Sequence, residues 1–285
     1  MKVELINENK IVDINENESL FDFLKRYKND YTDYLGVKVN NRLQELVNGK
    51  FKANDKIEFL SIKDNDGHRI YVRTLTMIYI KACKDVFPDI DVEIKHSLNK
   101  GLYTELEYEH LVNKVQLENI KKRMQEIIDE KKPINTMFLS LDKAKRIFNE
   151  QGMNDKVELL KYWDRDTIRV YELDGYYDTF YGYLAPNTEF INKFDLRLFY
   201  PGIILNYPTQ ESNFELPESI EQKKLYKVFK EAEDWGEIMD VAYVGALNRK
   251  IINNTIDDMI RVNEALHEKK IAYIADEIAS DKNIK

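Results

Sequence analysis

The sequence predicts an α+β fold. Segments with the two-residue period of strands are interleaved with segments of helical period, without the strict strand–helix alternation of a parallel sheet. Tyr (18) and Phe (13) are plentiful among the strand-like runs, which favours substantial sheet content. The stretch from about residue 218 onward reads as helix throughout. At 285 residues the chain has room for about two domains.

The first unit is residues 1–64. VELI (3–6) and IVDI (11–14) are short strands around a turn at Asn7–Lys10. Ser19 caps a helix whose apolar stripe is Leu20, Phe23, Leu24 and Tyr27, at i, i+3, i+4, i+7. YLGVKVNN (34–41) alternates like a half-buried strand. Asn40–Asn41 turns into RLQELV (42–47), and KIEFLSI (56–62) closes the unit. Two strands, a helix and further strands in so short a span suit a ubiquitin-like roll.

Asp64–Asn65–Asp66–Gly67 is polar and turn-rich, and reads as a linker. The second unit, 65–217, opens with a helix of roughly 70–86 that carries Leu75, Ile78, Ala82 and Val86 on one face and is ended by Pro88. DVEIKHS and GLYTELEYE form a strand pair joined by Leu98–Lys100. An amphipathic helix of roughly 110–131 follows, with Leu111, Val115, Ile120, Met124, Ile127 and Ile128 apolar. NTMFLS (135–140) is a short strand, and 141–150 and 154–162 are helical. TIRVYEL, YDTFYGYLA and LRLFY are read as strands of one antiparallel sheet, and Pro201–Gly202 turns into IILNYP. In the third unit, 218–285, ESIEQKKLYKVFKEAEDWGEIM reads as one helix. A second helical stretch, Thr255–Ala279, carries Ile256, Met259, Ile260, Leu266, Ile271 and Ile274.

Composition excludes several classes. Hydrophobic residues make up 43% and charged residues 33%, as in a soluble folded protein. No apolar run approaches the ~20 residues that span a bilayer. The N-terminus lacks the basic start and apolar core of a signal peptide. Cys83 is the sole cysteine, so no intrachain disulfide forms and a reducing cytoplasm is expected. A net charge of −8 argues against broad, nonspecific nucleic-acid binding, which rests on Lys and Arg, though it leaves room for a local basic patch. His68, His110 and His267 are scattered and form no metal spacing, and no GxSxG nucleophile elbow is present.

Three segments carry a resemblance. VRTLTMIYIKACKDVFP runs from Val72 to Pro88, HSLNKGLYTEL starts at His96, and DTFYGYLAPNTEFINKFDL starts at Asp178. Their order, behind a small β-rich module, resembles the TGS and editing half of threonyl-tRNA synthetases. That resemblance implies a TGS roll followed by an editing-type (SAD-like) α+β domain, with a metal-type pocket made by HxxxH and CxxxH motifs. Here the HxxxH positions fall on Arg73 and Met77, or with a one-residue slip on Thr74 and Ile78. The CxxxH positions fall on Phe180 and Leu184. None of these is a normal Zn ligand. The expectation is therefore a retained scaffold with no metal site and no catalytic residue.

IKHSLNKGLYTEL, GYLAPNTEFINKFDL, YPGIILNYP and VNEALHEKKIAYIADEIA together also resemble the N-terminal half of bacterial uridine kinase-like nucleoside kinases. That resemblance implies an accessory, ligand-binding or regulatory region beside a kinase domain. The kinase domain would open with a GxxxxGK[ST] phosphate loop and bind ATP and Mg. No two glycines here have the loop's spacing. The expectation is a fragment without cofactors of its own, with the kinase domain of the same protein as its partner.

Candidate ligand-binding residues are Arg73, His96, Lys100, Tyr103, Asp178 and Tyr181. His96, Lys100 and Tyr103 sit on the hairpin. They are either polar groups converging on a pocket or a strand-edge His beside a solvated Lys. Arg73 either grips phosphate or carboxylate with its planar fork, or pairs with an acid such as Asp178 or Glu105. Tyr177, Tyr181 and Tyr183 are either a stacking wall for a base or ordinary sheet packing. Met77 and Cys83 read as core. Two further functions stay open: a metal-independent editing-type hydrolase of aminoacyl-tRNA with His96 as general base, or a dimerisation module using the C-terminal helices. The ligand expected is either a small molecule or an RNA element; no membrane partner is expected.

Overall fold

The computed structural model describes residues 1–281 except 89, 108–110, 219 and 221, together with the backbone but not the side chain of Glu107. His110 lies outside the described residues. The chain divides into two compact units, 1–140 with 167–226, and 141–166 with 227–285. The first is mixed α and β; the second is helical.

The first unit begins with β1 (Lys2–Leu5) and β2 (Lys10–Asp13), paired antiparallel. Helix α1 (Leu20–Tyr27) starts at Ser19, whose side chain accepts a hydrogen bond from the Asp22 N–H. Its Leu20, Phe23 and Leu24 are buried, as their spacing requires. Strands β3 (Tyr34–Val39) and β4 (Arg42–Gln44) turn at Asn40 and Asn41, with φ of 49° and 62°. Asparagine tolerates this left-handed region better than most residues. β4 ends at Gln44, shorter than the expected RLQELV, because Glu45–Val47 leave the sheet. β5 (Lys56–Ser61) runs parallel to β1 and antiparallel to β3, giving the order β2-β1-β5-β3-β4.

The expected linker at 64–67 is not one. Asp64 sits at the N-terminus of α2 (Asn65–Val86), and its carboxylate takes the N–H of Ser61 at 2.8 Å. A Cβ on Gly67 would lie 1.9 Å from the Ser61 carbonyl oxygen. The polar tetrapeptide is thus a tight strand-to-helix junction that only glycine fits.

β6 (Asp91–Leu98) and β7 (Gly101–Glu107) form the expected hairpin, turning at Asn99 and Lys100, both with positive φ. α3 spans Lys114–Asp129, later than predicted, because Asn113 and Gln116 build a reciprocal capping box there. Leu111 and Val115 are accordingly exposed, while Ile120, Met124 and Ile127 are buried.

The strands expected in one sheet divide between two. β8 (Asn135–Ser140), β9 (Thr167–Leu173) and β10 (Tyr176–Asp178) make a three-stranded sheet in the order β10-β9-β8. β11 (Asp195–Phe199) and β12 (Gly202–Asn206) join the hairpin as β11-β12-β7-β6. YDTFYGYLA is strand only to Asp178; beyond it the chain bends, and Gly182 has φ 143°. The core of this unit lies where α2 and α3 pack on the sheets, with Leu75, Met77, Ile78, Tyr79 and Met124 fully buried.

The second unit contains α4 (Leu141–Glu150), α5 (Asn154–Leu159), α7 (Val244–Ile252), α8 (Ile256–Ser280) and most of α6 (Lys223–Ile238). α6 begins later than the predicted single helix from 218. Glu158 of α5, only 9% exposed, accepts from Tyr243 Oη and from Arg249 Nη1, both at 2.6 Å. Among the described residues no helix is long and apolar enough to cross a membrane.

Candidate functional site

Gly182 is the centre of a polar cluster on the first unit. β9 alternates, so Arg169 and Tyr171 share one face while Ile168 and Val170 take the other. On that face Arg169 Nη2 donates to the Gly182 carbonyl at 2.8 Å. The Tyr171 hydroxyl lies 3.1 Å from the same oxygen and 2.9 Å from Glu45 Oε1, between two acceptors. The Glu45 carboxylate also accepts from Thr136 Oγ1. Burial, and then the Glu45 carboxylate, push the Tyr171 phenol well above its ordinary value. Arg169 lies over the ring of Tyr183, with Cζ 4.5 Å from the centroid.

Arg73 comes to the same glycine from α2. A Cβ built on Gly182 would fall 2.3 Å from Arg73 Cζ and 2.4 Å from Nη1, so the guanidinium rests directly on the glycine. One residue further along α2, Thr74 Oγ1 accepts the Ala185 N–H at 2.9 Å and donates to the Ile70 carbonyl at 2.8 Å. The segment after Asp178 is therefore held against α2 at Arg73–Thr74, through Gly182 and Ala185.

Burial lowers the Arg73 pKa, and the positive charge of Arg69 adds to that shift. The expected pairing of Arg73 with Asp178 or Glu105 does not form. Asp178, 2% exposed, accepts from Tyr176 Oη at 2.7 Å and from the Thr179 N–H at 2.6 Å. Glu105 accepts from Tyr103 Oη at 2.7 Å. Among the described residues no carboxylate lies within ion-pair distance of Arg73.

The metal that the editing-type resemblance implies does not fit these residues. Arg73 is a cation, Met77 is fully buried in the core, and Phe180 and Leu184 offer no donor atom. Among the described residues no group of three or more His, Cys, Asp or Glu is arranged to hold a metal ion.

The remaining candidates lie elsewhere. His96 packs against Tyr103 with ring centroids 5.3 Å apart and the planes tilted by 38°. Tyr103 and Thr104 point to opposite faces of β7. Thr104 hydrogen-bonds Tyr79 of α2 at 2.7 Å, so the face that carries His96 and Tyr103 looks away from α2. There Tyr103 is covered by Phe199 and Tyr226, as part of a small apolar cluster. Lys100 pairs with Glu211 at 3.1 Å and lines a third place, a cavity of about 310 Å³ with Lys63, His68 and Tyr207. His68 Nε2 lies 2.9 Å from the Pro208 carbonyl, which fixes it as the protonated nitrogen. Tyr181 is 76% exposed, so the three tyrosines form no continuous wall. Cys83 is buried, and burial pushes its thiol up to about 12.

A second cavity, of about 390 Å³, adjoins the Gly182 cluster; Glu45, Thr136, Leu184 and Ala185 line it. Arg169, Tyr171, Gly182 and Glu45 were all missed in the sequence. The first two were legible as one face of an alternating strand. Glu45 was not, because only the early end of β4 turns it toward β9.

No protein-family model matches the chain. A stretch of 163 residues, 57% of this chain, is 26% identical to the threonine–tRNA ligase of Oceanobacillus iheyensis and covers 25% of it. A stretch of 144 residues, 50% of the chain, is 24% identical to the threonine–tRNA ligase of Francisella tularensis subsp. novicida and covers 23% of it. The same ligase of Francisella tularensis subsp. tularensis strain SCHU S4 is 25% identical over 144 residues. About half of this chain is thus similar to threonine–tRNA ligases, and the chain spans about a quarter of their length.

Proposed function

We propose that this chain is a threonyl-tRNA-synthetase-related editing-type domain that uses its old cleft to bind a ligand and not to hydrolyse one. The observation that carries this reading is the meeting of 182–185 with Arg73–Thr74. It brings the two segments together with an arginine and apolar side chains at the positions where the resemblance implies metal ligands. The boundaries 1–64, 65–217 and 218–285, with a TGS roll first, belong to the same proposal. So does a cytoplasmic setting.

The test is deacylation of threonine tRNA mischarged with serine. The expected outcome is release no faster than in buffer, with or without added zinc. Chain-dependent release overturns the reading.

The similarity to threonine–tRNA ligases favours a second reading, a hydrolase that works without metal. His96 is badly placed to be its base, since it occupies the sheet face turned from α2. The same assay decides between the two. The accessory role beside a nucleoside kinase, with ATP and Mg bound in that partner domain, rests on the sequence resemblance alone. A GxxxxGK[ST] loop encoded shortly beyond Lys285 supports it, and its absence there removes it.

A further inference from the structure

The Gly182 cluster gathers positive charge that its carboxylates neutralise only in part. Arg69 and Arg73 are one turn apart on α2, and Arg169 reaches the same glycine from β9. Asp66 is shared, 3.6 Å from Arg69 and 3.2 Å from Lys38. Glu45 spends its contacts on Tyr171, Thr136 and Asn48. Among the described residues neither Arg73 nor Arg169 has a carboxylate within ion-pair distance. The chain has 51 acidic and 43 basic residues, so acids were not scarce. Two half-buried guanidinia held together without a counter-ion are an expensive arrangement unless an anion joins them.

Both arginines also keep donors unspent. Gly182 has spent its own polar groups: its N–H donates to Phe180 O at 2.9 Å, and its carbonyl serves Arg169 and Tyr171. Arg73 lies on the glycine Cα and uses none of its five N–H donors on the described residues. Arg169 Nε is buried without a partner.

We propose that Arg73 and Arg169 form a binding site for the phosphoryl group of a phosphate monoester. Two forks carry more charge and more donors than the two oxygens of a carboxylate can use. A monoester dianion offers three equivalent oxygens and the matching charge. This rests on the reading of the cleft as a binding site.

The probes are inorganic phosphate, adenosine monophosphate and acetate, titrated into the whole chain by calorimetry at fixed ionic strength. Saturable one-to-one binding of the two phosphates is expected, with acetate at least tenfold weaker. Tighter binding of the nucleotide assigns a nucleotide ligand; equal binding assigns the free anion. Arg73→Met should weaken phosphate about tenfold or more, since a charge-assisted hydrogen bond is lost. Arg69→Met should change it less than threefold. The arginine Nε–Hε resonances of the unaltered chain supply a measure that needs no variant, and two of them should shift on phosphate addition. Absent binding, acetate as tight as phosphate, or Arg73→Met binding normally would each overturn the site. Deacylation of mischarged tRNA is a separate readout: if it occurs while phosphate still binds, the non-hydrolytic reading fails and the anion site stands.

Discussion

The guanidinium of Arg73 rests on the Cα of Gly182, so close that the smallest side chain there would sit 2.3 Å from Arg73 Cζ. One residue type permits the contact and another exploits it. The glycine frees the space, and its φ of 143° lies where other residues are strained. The arginine stands where the sequence resemblance implied a metal-binding histidine.

Gly182→Ala should destabilise the first unit by about 1–3 kcal/mol, from the backbone strain and the displaced guanidinium together. Paired with Arg73→Ala, part of that loss should disappear, because the clash goes while the strain remains. Urea unfolding of the two single variants and the double variant measures the coupling. Strict additivity would show that the two residues do not press on each other.

Thr74→Val keeps the shape of a fully buried side chain but removes the acceptor of the Ala185 N–H. The stranded donor should cost about 1–3 kcal/mol. Hydrogen exchange at the Ala185 amide should accelerate along with the drop in stability. An unchanged urea midpoint would refute the bond's role in holding the segment to α2.

Alkaline pH should destabilise the first unit through Tyr71. Burial raises its phenol from 10.0 to about 12, although the Lys193 N–H donates to it at 2.9 Å. A folded-state pKa above the unfolded one means that the folded state holds its proton longer. Its contribution to stability is therefore complete below pH 10 and is lost as pH rises toward 12. Each such proton steepens the decline by about 1.4 kcal/mol per pH unit. Tyr71→Phe should be less stable at neutral pH, because Lys193 loses its partner, yet show a shallower alkaline decline by one proton. Stability curves across that range, read with tyrosinate absorbance, decide it.

In the second unit, Glu158→Ala removes the acceptor shared by Tyr243 and Arg249. The expected loss is about 1–3 kcal/mol, since the carboxylate is almost fully buried between α5 and α7. Glu158→Gln should recover part of it by keeping one acceptor oxygen. Thermal unfolding followed by helical circular dichroism checks both.

Local pattern decided the elements. The Ser19 cap, the α1 stripe, the Asn40–Asn41 turn and the 96–104 hairpin were legible because neighbours within a few residues specify them. It misled where a local signal has two meanings. Asp64–Gly67 has the polarity of a linker, yet Gly67 is there because the Ser61 carbonyl leaves no room for a Cβ. The tyrosine-rich run after Asp178 has the propensity of a strand, yet among the described residues no strand pairs with it beyond that point. Instead Thr74, more than a hundred residues away, claims one of its amides.

What the sequence determined alone was chemical. The types of residue at Arg73, Met77, Phe180 and Leu184 do not suit a zinc set at those four positions whatever the fold, because none supplies imidazole, thiolate or carboxylate. What only the tertiary structure decided was company. It separated His96, Lys100 and Tyr103 from Arg73 by putting them on the far face of a sheet and in a different cavity. It brought Arg73 and Arg169, some hundred residues apart, to the same glycine. Contacts of that range depend on how helices and sheets stack, and no periodicity along a chain records which faces will meet.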